Sequence, residues 1–167
     1  TGADFAFAHM DTNGTIIDGE FGLEFDFGFG DHGYAIDLDK KGRILVAGSS
    51  YDPVNFEDDK AFARFLADGT VDTALDAGDG IHIEDGANNE RFTGLSINTQ
   101  SKATLTGVDT EDIVAGLLQP NSTTVDGGFN SAAYLVNSNA DNDVTNDHYV
   151  DDQSTIWTAG SKNSKGR

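Results

Sequence analysis

Cysteine is absent from this 167-residue chain, and proline, methionine and tryptophan occur only two, one and one times. Without cysteine, the chain can form no disulfide, no thiolate metal site and no cysteine nucleophile. Its apolar runs are only a few residues long, so we expect no membrane-spanning helix. Basic residues are also scarce, ten against 29 acidic ones, which gives a formal net charge of −19. This charge balance leaves no basic patch for neutralising phosphates and excludes that class of nucleic-acid binder.

The acidic residues are mostly aspartate, with 23 Asp and six Glu, and they accompany 20 glycines. Aspartate competes with the helical backbone for hydrogen bonds and prefers turns, and glycine supplies turn conformations that other residues avoid. No long amphipathic helical pattern is present. The composition therefore predicts an all-β protein of short strands joined by tight turns.

Two sequence elements recur three times along the chain. The first begins at Asp4, Asp59 and Asp112, at spacings of 55 and 53 residues. The second is a short β-type run closed by glycine at one fixed register, found at 43–49, 102–108 and 155–161. These glycines are predicted to allow close approach between packed sheets.

Each period of about 54 residues has room for about four short strands, which is the content of one propeller blade. We predict a single repeat domain over 1–167, with units at approximately 1–50, 51–109 and 110–167 and an acidic insertion near 137–148. A further strand is expected before each glycine-closed run. In the third unit it falls at either 133–136 or 148–150.

The middle repeat carries the clearest family resemblance. Its residues Asp59, Ala61, Phe62, Ala63, Arg64, Phe65, Asp68, Gly69, Thr70, Val71 and Asp72, with Phe29, Gly30, Asp31 and Gly33 and the run 42–49, resemble the delta-60 repeat family. That family recurs in large bacterial surface and secreted proteins, and the resemblance implies β-propeller-type blades. The first copy has His9 in place of arginine, and the third has Ala115 in place of the aromatic residue.

The repeats predict about three four-stranded antiparallel blades, whereas closed propellers have roughly four to eight. If the four strands of a blade are numbered in order, the chain begins with a third strand and ends after a second strand. We therefore expect an arc completed by another copy or by other protein subunits, with an open capped array as the alternative.

Recurring acids offer candidate Ca²⁺ ligands, because clustered carboxylate oxygens suit hard cations. A loop resembling an EF-hand places Asp141, Asp143, Asp147 and Asp152 at alternating positions, although no flanking helices are expected. A second set recurs in the repeats: Asn13, Asp68 and Asn121, then Asp18, Asp72 and Asp126. For this second set we favour hairpin turns and backbone capping over a metal site.

Trp157 is the single tryptophan and stands in an otherwise aliphatic glycine-closed strand, facing away from Ile156. It is our candidate for a ligand-contact or interface residue. No catalytic constellation emerges from the sequence. We expect a non-catalytic extracellular or cell-surface module with a structural, adhesive or assembly role. The alternative is a carbohydrate-active enzyme or an accessory subunit of an enzyme or surface complex. The expected partners are further copies or other subunits, with glycans as another option.

Overall fold

The computed structural model describes residues 2–17, 23–75, 78–86, 88–109, 112–118, 134–137, 144–150 and 155–161. These ranges form twelve β-strands: β1 (Phe5–Phe7), β2 (Leu23–Phe25), β3 (Asp31–Leu38), β4 (Ile44–Asp52), β5 (Glu57–Phe65), β6 (Ile81–Glu84), β7 (Glu90–Ile97), β8 (Ala103–Asp109), β9 (Asp112–Leu118), β10 (Tyr134–Asn137), β11 (Val144–Val150) and β12 (Ile156–Ser161). The described part of the chain contains no helix long and apolar enough to cross a membrane.

The strands form two four-stranded sheets and two strand pairs, all antiparallel. The first sheet has the order β3-β4-β5-β6, and the second has the order β10-β9-β8-β7. The remaining strands form the β1–β2 pair and the β11–β12 pair. Each sheet is a meander of sequence neighbours, as expected for strands joined by short turns. The predicted all-β class with antiparallel sheets is confirmed.

The predicted repeat units and the sheets are out of phase by two strands. Each unit of about 54 residues carries four strands, and in the second and third units the first two strands complete a sheet that the preceding unit began. For example, β5 and β6 end the first sheet, and β7 and β8 begin the second. Consecutive repeats are therefore tied together by shared sheets as well as by the chain.

The same β-bulge recurs in all three strand pairs that contain a glycine-closed run. The register shifts in β3, β7 and β11 beside Gly48, Gly107 and Gly160 respectively. A Cβ on Gly48 would overlap the carbonyl oxygen of His32, and one on Gly107 would overlap that of Arg91. The glycines thus make room for the bulged neighbouring strand within one sheet. A Cβ on Gly48 would also lie 3.0 Å from Cζ of Phe5 in the packed β1–β2 pair, so the expected close approach between sheets holds at this position.

The third copy of the strand before the glycine-closed run is β11, which pairs with β12. Of the two alternatives left by the sequence, the strand containing 148–150 is therefore correct. The other segment contributes to β10, the last strand of the second sheet, which pairs with β9.

The central strands of the first sheet, β4 and β5, are buried on both faces. One cluster of buried side chains lies between the first and second sheets: Leu45, Ala47, Phe62, Leu75, Phe92, Ala103 and Leu105. Another lies between the first sheet and the β1–β2 pair: Phe5, Val46, Ala61, Ala63 and Phe65. Leu45 and Val46 are neighbours in β4 and face opposite ways, as alternation along a strand requires. A sheet covered on both faces by similar units is the packing of a propeller blade.

Candidate functional site

A buried ion pair joins the first sheet to the second. The ammonium group of Lys60 on β5 contacts Oε2 of Glu90 on β7, and their side chains are only 4% and 3% exposed. Gly86 leaves the space that the Glu90 carboxyl group occupies, since a Cβ there would overlap both of its oxygens. We call this place, with Asp59, Asp85 and Glu90, the second junction.

Burial raises the pKa of Glu90 from 4.5 to about 7, although Lys60 opposes the rise. Asp109, its cross-strand neighbour on β8, raises the pKa further through a side-chain hydrogen bond and through repulsion. Removing a carboxylate from water disfavours its charged form, and a nearby ammonium group offsets only part of that cost. The pair is therefore sensitive to pH in the neutral range.

A second buried ion pair lies beside the turn that follows β5. Nε of Arg64 donates to Oδ2 of Asp72 at 2.8 Å, and a nitrogen of Arg43 lies 3.6 Å from the same oxygen. Oδ1 of Asp72 also accepts from the Ala74 amide at 3.1 Å, which is the backbone capping expected from the sequence. Arg43 in turn binds Asp39 through Nε at 2.7 Å. These contacts brace the turns at one end of the first sheet.

In the first repeat, the backbone hydrogen bonds identify which residue stands at the position of Asp72. The Asp72 amide donates to the Arg64 carbonyl oxygen, and the Ile17 amide makes the same bond to the carbonyl oxygen of His9. Ile17 therefore stands where Asp72 stands, whereas the sequence alignment placed Asp18 there. Asp18 lies outside the described residues.

Aspartates at the first two repeat turns accept hydrogen bonds from their own backbone, whereas Asn121 and Asp126 of the third repeat lie outside the described residues. Oδ1 of Asp68 accepts from the Thr70 amide at 3.0 Å, and Gly69 takes a positive φ of 82°. In the first repeat, Gly14 has a φ of 83°, and Oδ1 of Asp11 accepts from the Thr15 amide at 2.9 Å. These contacts are those of hairpin turns.

An acidic cluster lies where the β1–β2 pair meets the first sheet, and we call it the first junction. It consists of Asp4 before β1, Asp26 after β2 and Asp31 at the start of β3. One carboxylate oxygen from each lies within 4.8 Å of the others. A second group with this spacing joins Asp59 and Asp85 of the second junction to Asp52.

Asp31 is the buried member of the first junction, with 1% of its surface exposed. Its Oδ2 accepts from the Phe27 amide at 2.7 Å. Among the described residues, no donor reaches its buried Oδ1 in hydrogen-bond geometry, although Ser50 lies beside the carboxyl group. Burial raises the pKa of Asp31, and repulsion from Asp26 and Asp4 adds to the rise.

The four acids of the loop resembling an EF-hand fall mostly outside the described residues. Asp141, Asp143 and Asp152 are not among them. Asp147 lies in β11, where it pairs with Ala159 across the strands.

Trp157 and Tyr149 form an exposed aromatic face on the β11–β12 pair. They are direct neighbours across the two strands and are 63% and 65% exposed. A shallow depression of about 190 Å³ adjoins them, and His148, Thr158 and Ala159 complete its lining.

The recurring bulge register identifies what occupies the same position in the other sheets. Gly160, Gly48 and Gly107 are equivalent, so Trp157 corresponds to Leu45 in the first sheet and to Thr104 in the second. Leu45 and Thr104 are only 2% and 3% exposed. Leu45 is buried by the second sheet, which is the next sheet along the chain.

Neither junction was found from the sequence. The first junction spans 27 positions from Asp4 to Asp31, the second spans 31 positions from Asp59 to Glu90, and in a chain with 29 acids no local pattern marks their members out. Repeat alignment held a usable signal, because Asp4 and Asp59 occupy matching positions in the first two repeats.

Comparison with known proteins supports the repeat type. A family model described as a beta-propeller domain of unknown function (DUF5122) matches residues 42–74, which include β4 and β5. No curated protein matches the chain. The chain therefore contains a propeller-type repeat, in agreement with its antiparallel meanders.

Proposed function

We propose that this chain is a non-catalytic structural, adhesive or assembly module of a bacterial extracellular or cell-surface protein, built from delta-60-type propeller repeats. In this proposal the β11–β12 and β1–β2 pairs are two halves of a third blade. The β11–β12 pair supplies the first two strands of that blade, and the β1–β2 pair supplies the last two. The chain is then an arc of about three blades, completed by a second copy or by another protein subunit.

The exposed aromatic face carries the proposal. Trp157 stands at the position where Leu45 packs against the next sheet, yet it is 63% exposed. An exposed apolar surface that matches a buried one in a sister repeat is suited to a partner of the same kind. A further repeat unit, from a second copy or another subunit, is the natural occupant.

The register of the completed blade follows from the first sheet. There Leu45 pairs with Arg64 across β4 and β5. Trp157 corresponds to Leu45, and His9 corresponds to Arg64, so β12 and β1 would bring Trp157 opposite His9.

Disulfide cross-linking tests this register. The chain has no cysteine, so a double variant with Trp157→Cys and His9→Cys contains only the introduced pair. Directly opposed strand residues lie about 4.5–5.5 Å apart, within the range that a disulfide spans. Trp157→Cys with Ala8→Cys is the matched control, because a shift of one residue turns the side chain to the other face.

We expect a covalent dimer on a non-reducing gel from the first variant and little from the control. A cross-link within one chain would mean that three blades close on themselves, which contradicts the arc. Absence of any cross-link, with a monomeric unsubstituted chain by size-exclusion chromatography and light scattering, would contradict self-association.

Glycan binding is the second candidate, favoured by the same two aromatic side chains. Exposed Trp157 and Tyr149 could stack on sugar rings beside the adjoining depression. Glycan-array binding that is lost in Trp157→Ser without turnover would support a binding module. Hydrolysis abolished by a single acid-to-amide change would instead support the carbohydrate-active alternative.

A further inference from the structure

We propose that the first junction is a divalent-cation site of the Ca²⁺ type, held by the carboxylates of Asp4, Asp26 and Asp31. These residues come from three separate segments and place carboxylate oxygens within 4.8 Å of one another. Oδ1 of Asp31, in a side chain that is almost fully buried, meets no donor in hydrogen-bond geometry among the described residues, and the Ser50 hydroxyl lies beside this carboxyl group. A buried carboxylate oxygen without a donor is costly unless a cation compensates it.

The second junction shows how the same place is neutralised one repeat later. The pairings Phe5 with Phe25 and Lys60 with Glu84 are equivalent, which makes Phe5 the counterpart of Lys60. Asp31 and Glu90 are likewise equivalent, since each begins a strand two residues before the bulge. At the second junction Lys60 supplies an ammonium group to Glu90, whereas at the first junction a phenyl ring stands in its place.

No described cation pairs with the first junction. The structure gives Asp4, Asp26 and Asp31 no ion pair with a described Lys, Arg or His, and the Asp26 carboxylate accepts only from the Gly28 amide, at 2.6 Å. Three carboxylates thus converge with at least one buried oxygen open to a ligand. A metal ion would supply the positive charge that Lys60 supplies in the next repeat.

The geometry and the donor atoms suit Ca²⁺. Two oxygens that bind one Ca²⁺ at about 2.3–2.6 Å lie no more than about 5 Å apart, and Ca²⁺ accepts six to eight oxygen ligands in flexible arrangements. Asp4 and Asp26 are exposed, so water can complete the coordination. Such an open site should bind with a dissociation constant of about 10⁻⁴–10⁻³ M. The site lies within one chain, so it does not depend on the proposed self-association.

Isothermal titration of the 167-residue chain with CaCl₂ in about 0.15 M NaCl tests the site, because that salt screens diffuse attraction to the acidic surface. Asp31→Asn keeps the shape and the acceptor for the Phe27 amide but removes the charge. Asp26→Asn is a second variant at an exposed ligand. Asp68→Asn is the matched control, since it removes one charge at a turn where the first repeat already has Asn13.

We expect one site in the wild type and in Asp68→Asn, with at least tenfold weaker binding in Asp31→Asn and Asp26→Asn. Ca²⁺ at about 100 times its dissociation constant should raise the Tm of the wild type by about 5–10 °C. The same Ca²⁺ concentration should not raise the Tm of Asp31→Asn or Asp26→Asn in this way. Without Ca²⁺, Asp31→Asn should melt at or above the wild-type temperature, because it loses a buried uncompensated charge. Equal binding by wild type and Asp31→Asn, or no binding by the wild type at 10 mM Ca²⁺, a concentration of about 10–100 times the expected constant, would overturn the proposal.

Discussion

Replacing both members of the buried Lys60–Glu90 pair should stabilise the protein at neutral and higher pH. The double variant Lys60→Met with Glu90→Gln keeps most of the side-chain volume but buries no charge. Replacing a buried ion pair with neutral groups of similar volume is often neutral or stabilising, by up to about 4 kcal/mol. The effect should depend on pH in a way that the Glu90 pKa determines.

The magnitude follows from that pKa. Burial raises it from 4.5 to about 7, which corresponds to about 3 kcal/mol of lost stability when Glu90 is fully ionised. Below pH 4.5 the carboxyl group is protonated in both the folded and unfolded states, and the penalty is absent. Between pH 4.5 and about 7 the unfolded state has lost its proton while the folded state still holds it, so stability falls as the pH rises. Above pH 7 both states are ionised and the stability levels off.

Urea unfolding from pH 4.5 to 8 measures this difference. We expect the stability of the wild type, relative to the double variant, to decline by about 3 kcal/mol over that range. Lys60→Met alone is the informative single variant, because it leaves Glu90 without its cation and should be most destabilised at the highest pH. A difference that is independent of pH, or that grows in favour of the wild type as pH rises, would refute the reasoning.

Three further substitutions probe the packing and the buried charges. Gly107→Ala should cost about 1–3 kcal/mol in urea unfolding, because the new methyl group overlaps the backbone of the bulged neighbouring strand. Arg64→Met should cost about 3 kcal/mol by leaving Asp72 buried without its main partner, and adding Asp72→Asn should recover most of that loss. Phe62→Ala should cost about 3–5 kcal/mol, because Phe62 is fully buried between the two sheets. Val54→Ala, at a side chain that is 78% exposed, should stay within about 0.5 kcal/mol of the wild type, and a loss similar to that of Phe62→Ala would contradict this account.

The strand content and the repeat order were accessible from the sequence because they depend on local patterns. The three glycine-closed runs correspond to β4, β8 and β12, and the turn signals fall where hairpins form. What the pattern did not reveal is that these glycines also accommodate a bulge in the neighbouring strand. The bulge that they accommodate, opposite Gly48 for instance, is a property of the paired strand and is invisible in a single segment.

The junctions show the limit more sharply. Asp31 and Glu90 begin equivalent strands, but one meets two further carboxylates and the other meets Lys60. Which neighbour each acid meets depends on strands brought together by pairing and sheet stacking. The exposure of Trp157 follows the same logic, since the strand alternation sets its face but only the stacking of the sheets decides whether that face is covered.

The sequence by itself determined an all-β repeat protein with four strands per period, because turn chemistry and strand periodicity act over a few residues. Only the tertiary structure decided how those strands are shared between sheets, which acids converge and which charges are buried. Electrostatic compensation is a property of distance and burial, and residues far apart in the chain acquire both only when the sheets pack.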